Sequence, residues 1–141
     1  MIIKKTKPVE FQDIQRFANI YGFPYDNNLI DVFYNINGGT PIDFNFLYGN
    51  NIELKTSSIK KILSFNSNDN DNIEEAMDIV SGIETLVPFA ITEDDDYLCY
   101  YNEDGEEFIK LFCVDTEELF DVFTEDEEIY TPSIFFSDLE I

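Results

Sequence analysis

The chain of 141 residues has no histidine, no tryptophan and only two cysteines, Cys99 and Cys113. Without histidine, Ser-His-Asp and Cys-His arrangements and the HExxH zinc site are excluded. The cysteines lack the spacing of a metal site. Both fall in apolar runs, where they read as small buried side chains in a reducing compartment. A disulfide is not expected, because a hairpin turning near 102–105 sets Cys99 opposite roughly residue 109 and not Cys113. Glycine is scarce too, six in all, and no Gly-rich loop precedes a helix. Gly38-Gly39 follows a predicted helix, the wrong order for cradling phosphate. No stretch approaches about 18 uncharged apolar residues, so no membrane span is expected. The basic start, Met1 to Pro8, has no apolar run behind it and does not read as a signal peptide. The protein is expected to be cytoplasmic.

Positive charge is the other shortage. Eight Lys or Arg face thirty Asp or Glu, a net charge of −22. Residues 1–61 carry seven basic and six acidic side chains, whereas residues 62–141 carry Lys110 alone against twenty-four acids. Self-repulsion of this size costs stability and is borne most readily where the field is useful. A polyanion is repelled by nucleic acid and by anionic membrane surfaces, so neither is an expected direct partner. A cationic protein is. The plainer reading is that the acidity only keeps the chain soluble.

What is present is a globular composition: 44% hydrophobic residues, with fourteen Phe and eight Tyr. The length suits one domain, 1–141. Pro8 in a first turn, with Phe11, Ile14, Phe17 and Tyr21 at helical spacing, predicts a first helix stopped by Gly22. Pro24 starts a new segment. Asn27 or Asn28 caps a second helix carrying Leu29, Val32, Phe33 and Ile36, which ends at Asn37-Gly38-Gly39, with Pro41 beyond. Alternation then predicts a strand over Ile42, Phe44, Phe46 and Tyr48. A turn at Gly49-Asn50-Asn51 leads to a second strand through Ile52 and Leu54. Residues 59–65 are ambiguous between helical turn and strand. Asn72 with Glu75 has capping-box spacing and opens a third helix with Ile73, Met77, Val80 and Ile83 on one face. Leu86 to Ile91 is a short buried strand whose Pro88 points to an edge or a bulge. Tyr97–Tyr101 and Phe108–Val114 flank Asn102-Glu-Asp-Gly105, a hairpin turn. Residues 115–129 are strongly acidic around Leu119, Phe120, Val122 and Phe123. Ser133 to Leu139 reads as a terminal helical turn with Ile134, Phe135 and Leu139 as contacts.

Among chemistry-bearing patterns, paired carboxylates are too numerous for any pair to signal acid–base work. Asp94-Asp95-Asp96, Asn68 to Asp71 and Asn102 to Gly105 supply oxygens that suit a hard cation, but none completes a calcium-binding loop. Neither a metal nor a cofactor is expected, and the chain reads as a non-enzyme. The acidic segments are the best lead. Residues 93–107 hold eight acids and no base, and 115–128 hold eight more. Glu93, Asp94, Asp95 and Asp96 with Glu103, Asp104, Glu106 and Glu107 lie at the two ends of one hairpin region. Tyr97 and Tyr101 share one face of it. Rings among carboxylates suit a protein-binding surface that steers a basic partner.

The order of elements resembles the SUKH superfamily: a helix, Gly22-Phe-Pro24, a helix ending Asn37-Gly-Gly-Thr-Pro41, then strands. Leu86-Val-Pro-Phe-Ala90 resembles its apolar strand and Pro-Phe-Ala turn, and the hairpin through Asn102 to Gly105 its next element. Ser133-Ile-Phe-Phe-Ser-Asp-Leu139 is similar to its closing segment, with one extra residue. The likeness spans residues 9–141. Two departures stand out. Phe33 and Tyr34 only loosely represent the aromatic before Asn-Gly, and 115–129 is more acidic than the pattern. The resemblance implies an α+β fold, a mainly antiparallel sheet with about three or four helices packed beside it, and Gly38 and Gly39 as structural turn residues. It also implies a job. Bacterial members are immunity proteins that bind and neutralise a toxin, often a nuclease. Others are similar to cell-wall-synthesis regulators that act as interaction scaffolds. The expected function is therefore an immunity-type protein binding a basic, nuclease-like toxin domain through an acidic surface, or a non-catalytic regulatory interaction module.

Overall fold

A computed structural model describes residues 2–21, 27–50, 52–80 and 86–138. The predicted Gly22–Pro24 break, Asn51, Ile83, Leu139 and the side chains of Asn27, Asn28 and Leu29 lie outside the described residues. Within them the protein is α+β, with four helices and eight strands. Every strand pair is antiparallel. Strands β1 (Ile2–Lys4) and β2 (Thr40–Ile42) form a small ribbon. The other six close into a barrel in sequence order: β3 (Asn45–Gly49), β4 (Leu54–Ile62), β5 (Leu86–Thr92), β6 (Tyr97–Glu103), β7 (Glu106–Cys113) and β8 (Glu118–Phe123).

The structure corrects one expectation and resolves three others. The single strand read from Ile42 to Tyr48 is broken at Asp43, whose φ of 53° ends β2 before β3 begins. The ambiguous 59–65 stretch belongs mainly to β4, which continues unbroken from Leu54. Pro88 does not sit on an edge, because β5 runs between β4 and β6. The register shifts between Pro88 and Ala90, so a bulge absorbs the missing donor. The acidic 115–129 stretch contains a full strand, β8, whose pairing with both β7 and β3 shuts the barrel. Where β8 leaves β7, Tyr130 fills the gap: its N–H donates to Val122 O at 2.8 Å and its C=O accepts from Ile109 N at 3.1 Å.

The helices follow their apolar spacing. α1 (Phe11–Tyr21) begins three residues after Pro8 and buries Ile14, Phe17 and Ala18. α2 (Asn27–Ile36) buries Ile30, Phe33 and Ile36. α3 (Ile73–Ile79) is capped by Asn72, whose side chain accepts from Glu75 N at 2.9 Å. α4 (Pro132–Ser137) is capped by Thr131. Phe33, Phe89, Phe135 and Phe136 form an aromatic cluster in which Phe89 and Phe135 meet edge to face with centroids 5.2 Å apart. On the shared inward face of the barrel strands, Phe46, Leu98, Tyr100, Ile109, Leu111 and Val122 are buried.

The Asn-Gly-Gly segment ties the helical layer to the barrel. Gly38 has φ 64°, the left-handed conformation that glycine adopts without strain. A Cβ on Gly39 would lie 2.4 Å from Ile3 Cγ2, so glycine there lets β1 approach. Asn37, fully buried, donates through Nδ2 to Lys7 O and Ser64 Oγ and accepts at Oδ1 from Phe65 N at 2.8 Å.

Candidate functional site

Antiparallel order puts three turns at one end of the barrel: Gly49 to Leu54, Thr92 to Tyr97, and Cys113 to Glu118. The 103–106 hairpin lies at the other end. The acidic residues singled out from the sequence are thus divided. Glu93, Asp94, Asp95 and Asp96 stand at the first end; Glu103, Asp104, Glu106 and Glu107 stand at the second. The length of β6 separates them, six steps of ~3.3 Å or roughly 20 Å.

The first end is assembled from distant stretches of sequence. In the β5–β6 turn, Thr92 Oγ1 accepts from the N–H groups of Asp94 and Asp96, and Asp95 adopts φ 63°. Asp96 then reaches across and accepts the Val114 N–H at Oδ1, 3.0 Å away, which fixes this turn against the β7–β8 turn. The latter brings Asp115, Glu117 and Glu118, all exposed. Glu53 joins from the β3–β4 turn. Two lysines offset this rim: Lys60, 3.5 Å from Asp95, and Lys55. Tyr48 and Phe120, half-buried with ring centroids 5.9 Å apart, line the mouth of the barrel. Burial, and then Asp94, Asp96 and Cys113, push the Tyr48 phenol above its usual range, so these carboxylates act on the mouth itself.

The second end differs. Asp104 and Gly105 both have positive φ, 52° and 87°, forming the two-residue turn that matches strand twist. Glu107, itself exposed, accepts the buried Tyr100 hydroxyl at 2.5 Å, so one acid of this end is held by a residue of the core.

The two tyrosines expected as contact area are not free surface. Tyr97 is 8% exposed. Its phenol is pushed up by burial first and then by Asp71 and Glu75, which places it beside α3. Tyr101 is half-buried, with the Lys110 ammonium 5.8 Å from its ring centroid. Lys110 also bonds Asp121 and lies over Phe108, which occupies the single base of the acidic half. Cys99 is buried opposite Lys110, and both cysteines are free. Burial pushes the Cys99 thiol well up, opposite to what a nucleophile requires.

Sequence reading missed the residues of the first end that flank the chosen four: Tyr48, Glu53, Asp115, Glu117, Glu118 and Phe120. The acids of 115–128 were visible as a group. Only the strand register, with Tyr97 opposite Phe112, joins some of them to Glu93–Asp96. Among the described residues no group of three or more Cys, Asp or Glu is arranged to hold a metal ion. No described helix is long and apolar enough to cross a membrane.

Neither a curated protein nor a solved structure matches the chain. A family model does: the one described as the SMI1 / KNR4 family (SUKH-1) aligns with residues 8–131, from the segment before α1 to the cap of α4. The chain therefore belongs to the SMI1/KNR4 (SUKH-1) family.

Proposed function

We propose that this protein is a non-catalytic, immunity-type binder that neutralises a toxin by covering a basic, nuclease-like surface with the acidic end of its barrel. The observation that carries the reading is the assembly of Glu53, Glu93–Asp96, Asp115, Glu117 and Glu118 on three turns around the aromatic pair Tyr48 and Phe120. The Asp96–Val114 hydrogen bond holds two of those turns in register. A carboxylate array of this kind occupies Lys and Arg side chains that would otherwise hold phosphates. Its field also speeds encounter with a cationic partner by ~10–10³-fold at low salt. Because hydrogen bonds already fix the 92–97 turn and tie it to the 113–118 turn, binding there gives up little conformational entropy.

The test is calorimetric titration with purified basic nuclease toxin domains, beginning with any encoded by a gene adjacent to this one, at low and at high NaCl. Binding that weakens by tenfold or more as salt rises supports the reading. No binding to any basic nuclease domain, at any salt, overturns it.

A further inference from the structure

The β3–β4 turn carries an isoleucine where a soluble surface has little use for one. Ile52 is 94% exposed, more than any other large apolar side chain among the described residues. It stands on the rim of the barrel between two recesses. The inner one, about 240 Å³, is lined by Tyr48, Phe120 and Lys55. The outer one, about 480 Å³, is lined by Leu54, Phe123 and Glu127. Ile52 thus links the aromatic mouth to apolar side chains on the outer wall.

Asn50 Oδ1 accepts from Ile52 N at 3.1 Å and from Glu53 N at 3.4 Å, so the Asn50 side chain, and no packing of Ile52, holds these two residues in place. Burying an isoleucine side chain is favourable, and this position forgoes that gain in the isolated chain. The surroundings state what kind of surface would cover it. Glu53 and Glu127 flank the tip and its recesses, and Asp94 and Asp96 act on Tyr48 in the inner one. An acidic or plain apolar partner would be repelled or left with desolvated carboxylates facing it.

We propose that Ile52 is the anchor of the toxin interface, entering an apolar socket rimmed by lysine or arginine on the partner. This rests on the binding function proposed above and goes beyond it by naming the contact that confers affinity. Charge steers the encounter; the isoleucine, with Tyr48 and Phe120 behind it, excludes water from the middle of the contact. The surface so formed excludes the 103–107 hairpin at the other end of the barrel.

The test uses the full chain and, at physiological salt, the toxin domains of the titration above. Ile52→Ala is expected to weaken binding tenfold or more and Ile52→Asp to abolish it, with melting temperatures unchanged because the side chain makes no core contact. The combined Glu103→Gln, Asp104→Asn, Glu106→Gln and Glu107→Gln variant is expected to bind within threefold of wild type. Ile52→Trp adds the chain's sole tryptophan, whose emission is expected to shift to the blue on complex formation. If wild type binds while the Ile52 variants bind equally well, or the tryptophan stays water-exposed in the complex, the anchor is wrong and the parent reading stands. If wild type does not bind, both fall.

Discussion

The Asp96 carboxylate accepts the Val114 backbone N–H at 3.0 Å, so a residue of the β5–β6 turn orients the start of the β7–β8 turn. Most of the acids at this end are exposed and solvated; Asp96 is half-buried and makes a structural contact. Asp96→Ala leaves that N–H without its partner and is expected to cost about 1–3 kcal/mol in urea unfolding. Asp94→Ala, removing an exposed carboxylate, is expected to change stability by less than ~0.5 kcal/mol. Equal losses for the two variants would mean that the turns are not coupled in this way.

Asn37 is where the helical layer is joined to the barrel. Its amide bonds Lys7 O, Ser64 Oγ and Phe65 N, and its own backbone C=O accepts from Lys7 N at 2.7 Å. Asn37→Ala deprives a fully buried site of three bonds and is expected to cost about 3 kcal/mol, a large share of a ~5–15 kcal/mol margin. Asn35→Ala, two residues away on the exposed face, removes one bond to Asp31 O and is expected to stay within about 0.5 kcal/mol. Chemical denaturation of both variants checks the contrast. A mild Asn37→Ala would remove the residue's claim to be the joint.

With a net charge of −22, the folded chain repels itself. Screening shortens from ~10 Å at 0.1 M salt to ~3 Å at 1 M, so added salt relieves repulsion among turns that lie within a few ångströms of one another. The exposed Lys60–Asp95 pair, at 3.5 Å, loses little in return. The thermal midpoint is expected to rise by roughly 3–8 °C between low and molar NaCl, as about 1–2 kcal/mol of repulsion is screened. A flat or falling midpoint would show that ion pairing outweighs repulsion.

How far the sequence foretold this molecule depends on the range of the interaction. Local signals read well: Phe11, Ile14 and Phe17 on one helical face, the Asn72 cap, and the Asp104-Gly105 turn each depend on a few neighbouring residues. Closure of the barrel was not legible, because it rests on pairing such as Tyr48 with Val122, seventy-four positions apart. β8 was hidden because its residues, Glu118 to Phe123, alternate poorly and sit among acids that resemble a solvated loop. The candidate site suffered from the same limit. Glu93–Asp96 and Glu103–Glu107 are neighbours in sequence but are held apart by the stiff length of β6. Asp96 and Val114, eighteen positions apart, touch.

Tyr130 ties its pH dependence to the closing gap of the barrel. Burial, then the Asp138 carboxylate and the hydrogen bond donated to it at 3.3 Å, push its phenol well above the ordinary 10.0. The folded state therefore holds this proton more tightly than the unfolded chain does. The resulting stability is fully present below about pH 10 and is lost as pH rises from there toward the folded-state value. Tyr130→Phe is expected to cost roughly 0.5–1.5 kcal/mol at neutral pH, for the lost bond, and to unfold less steeply between about pH 10 and 12. Tyr48 and Tyr97, raised mainly by burial as well, leave part of the slope in place. Urea unfolding at a series of alkaline pH values reads both effects. If the variant and wild type lose stability in parallel above pH 10, Tyr130 is not the group that titrates.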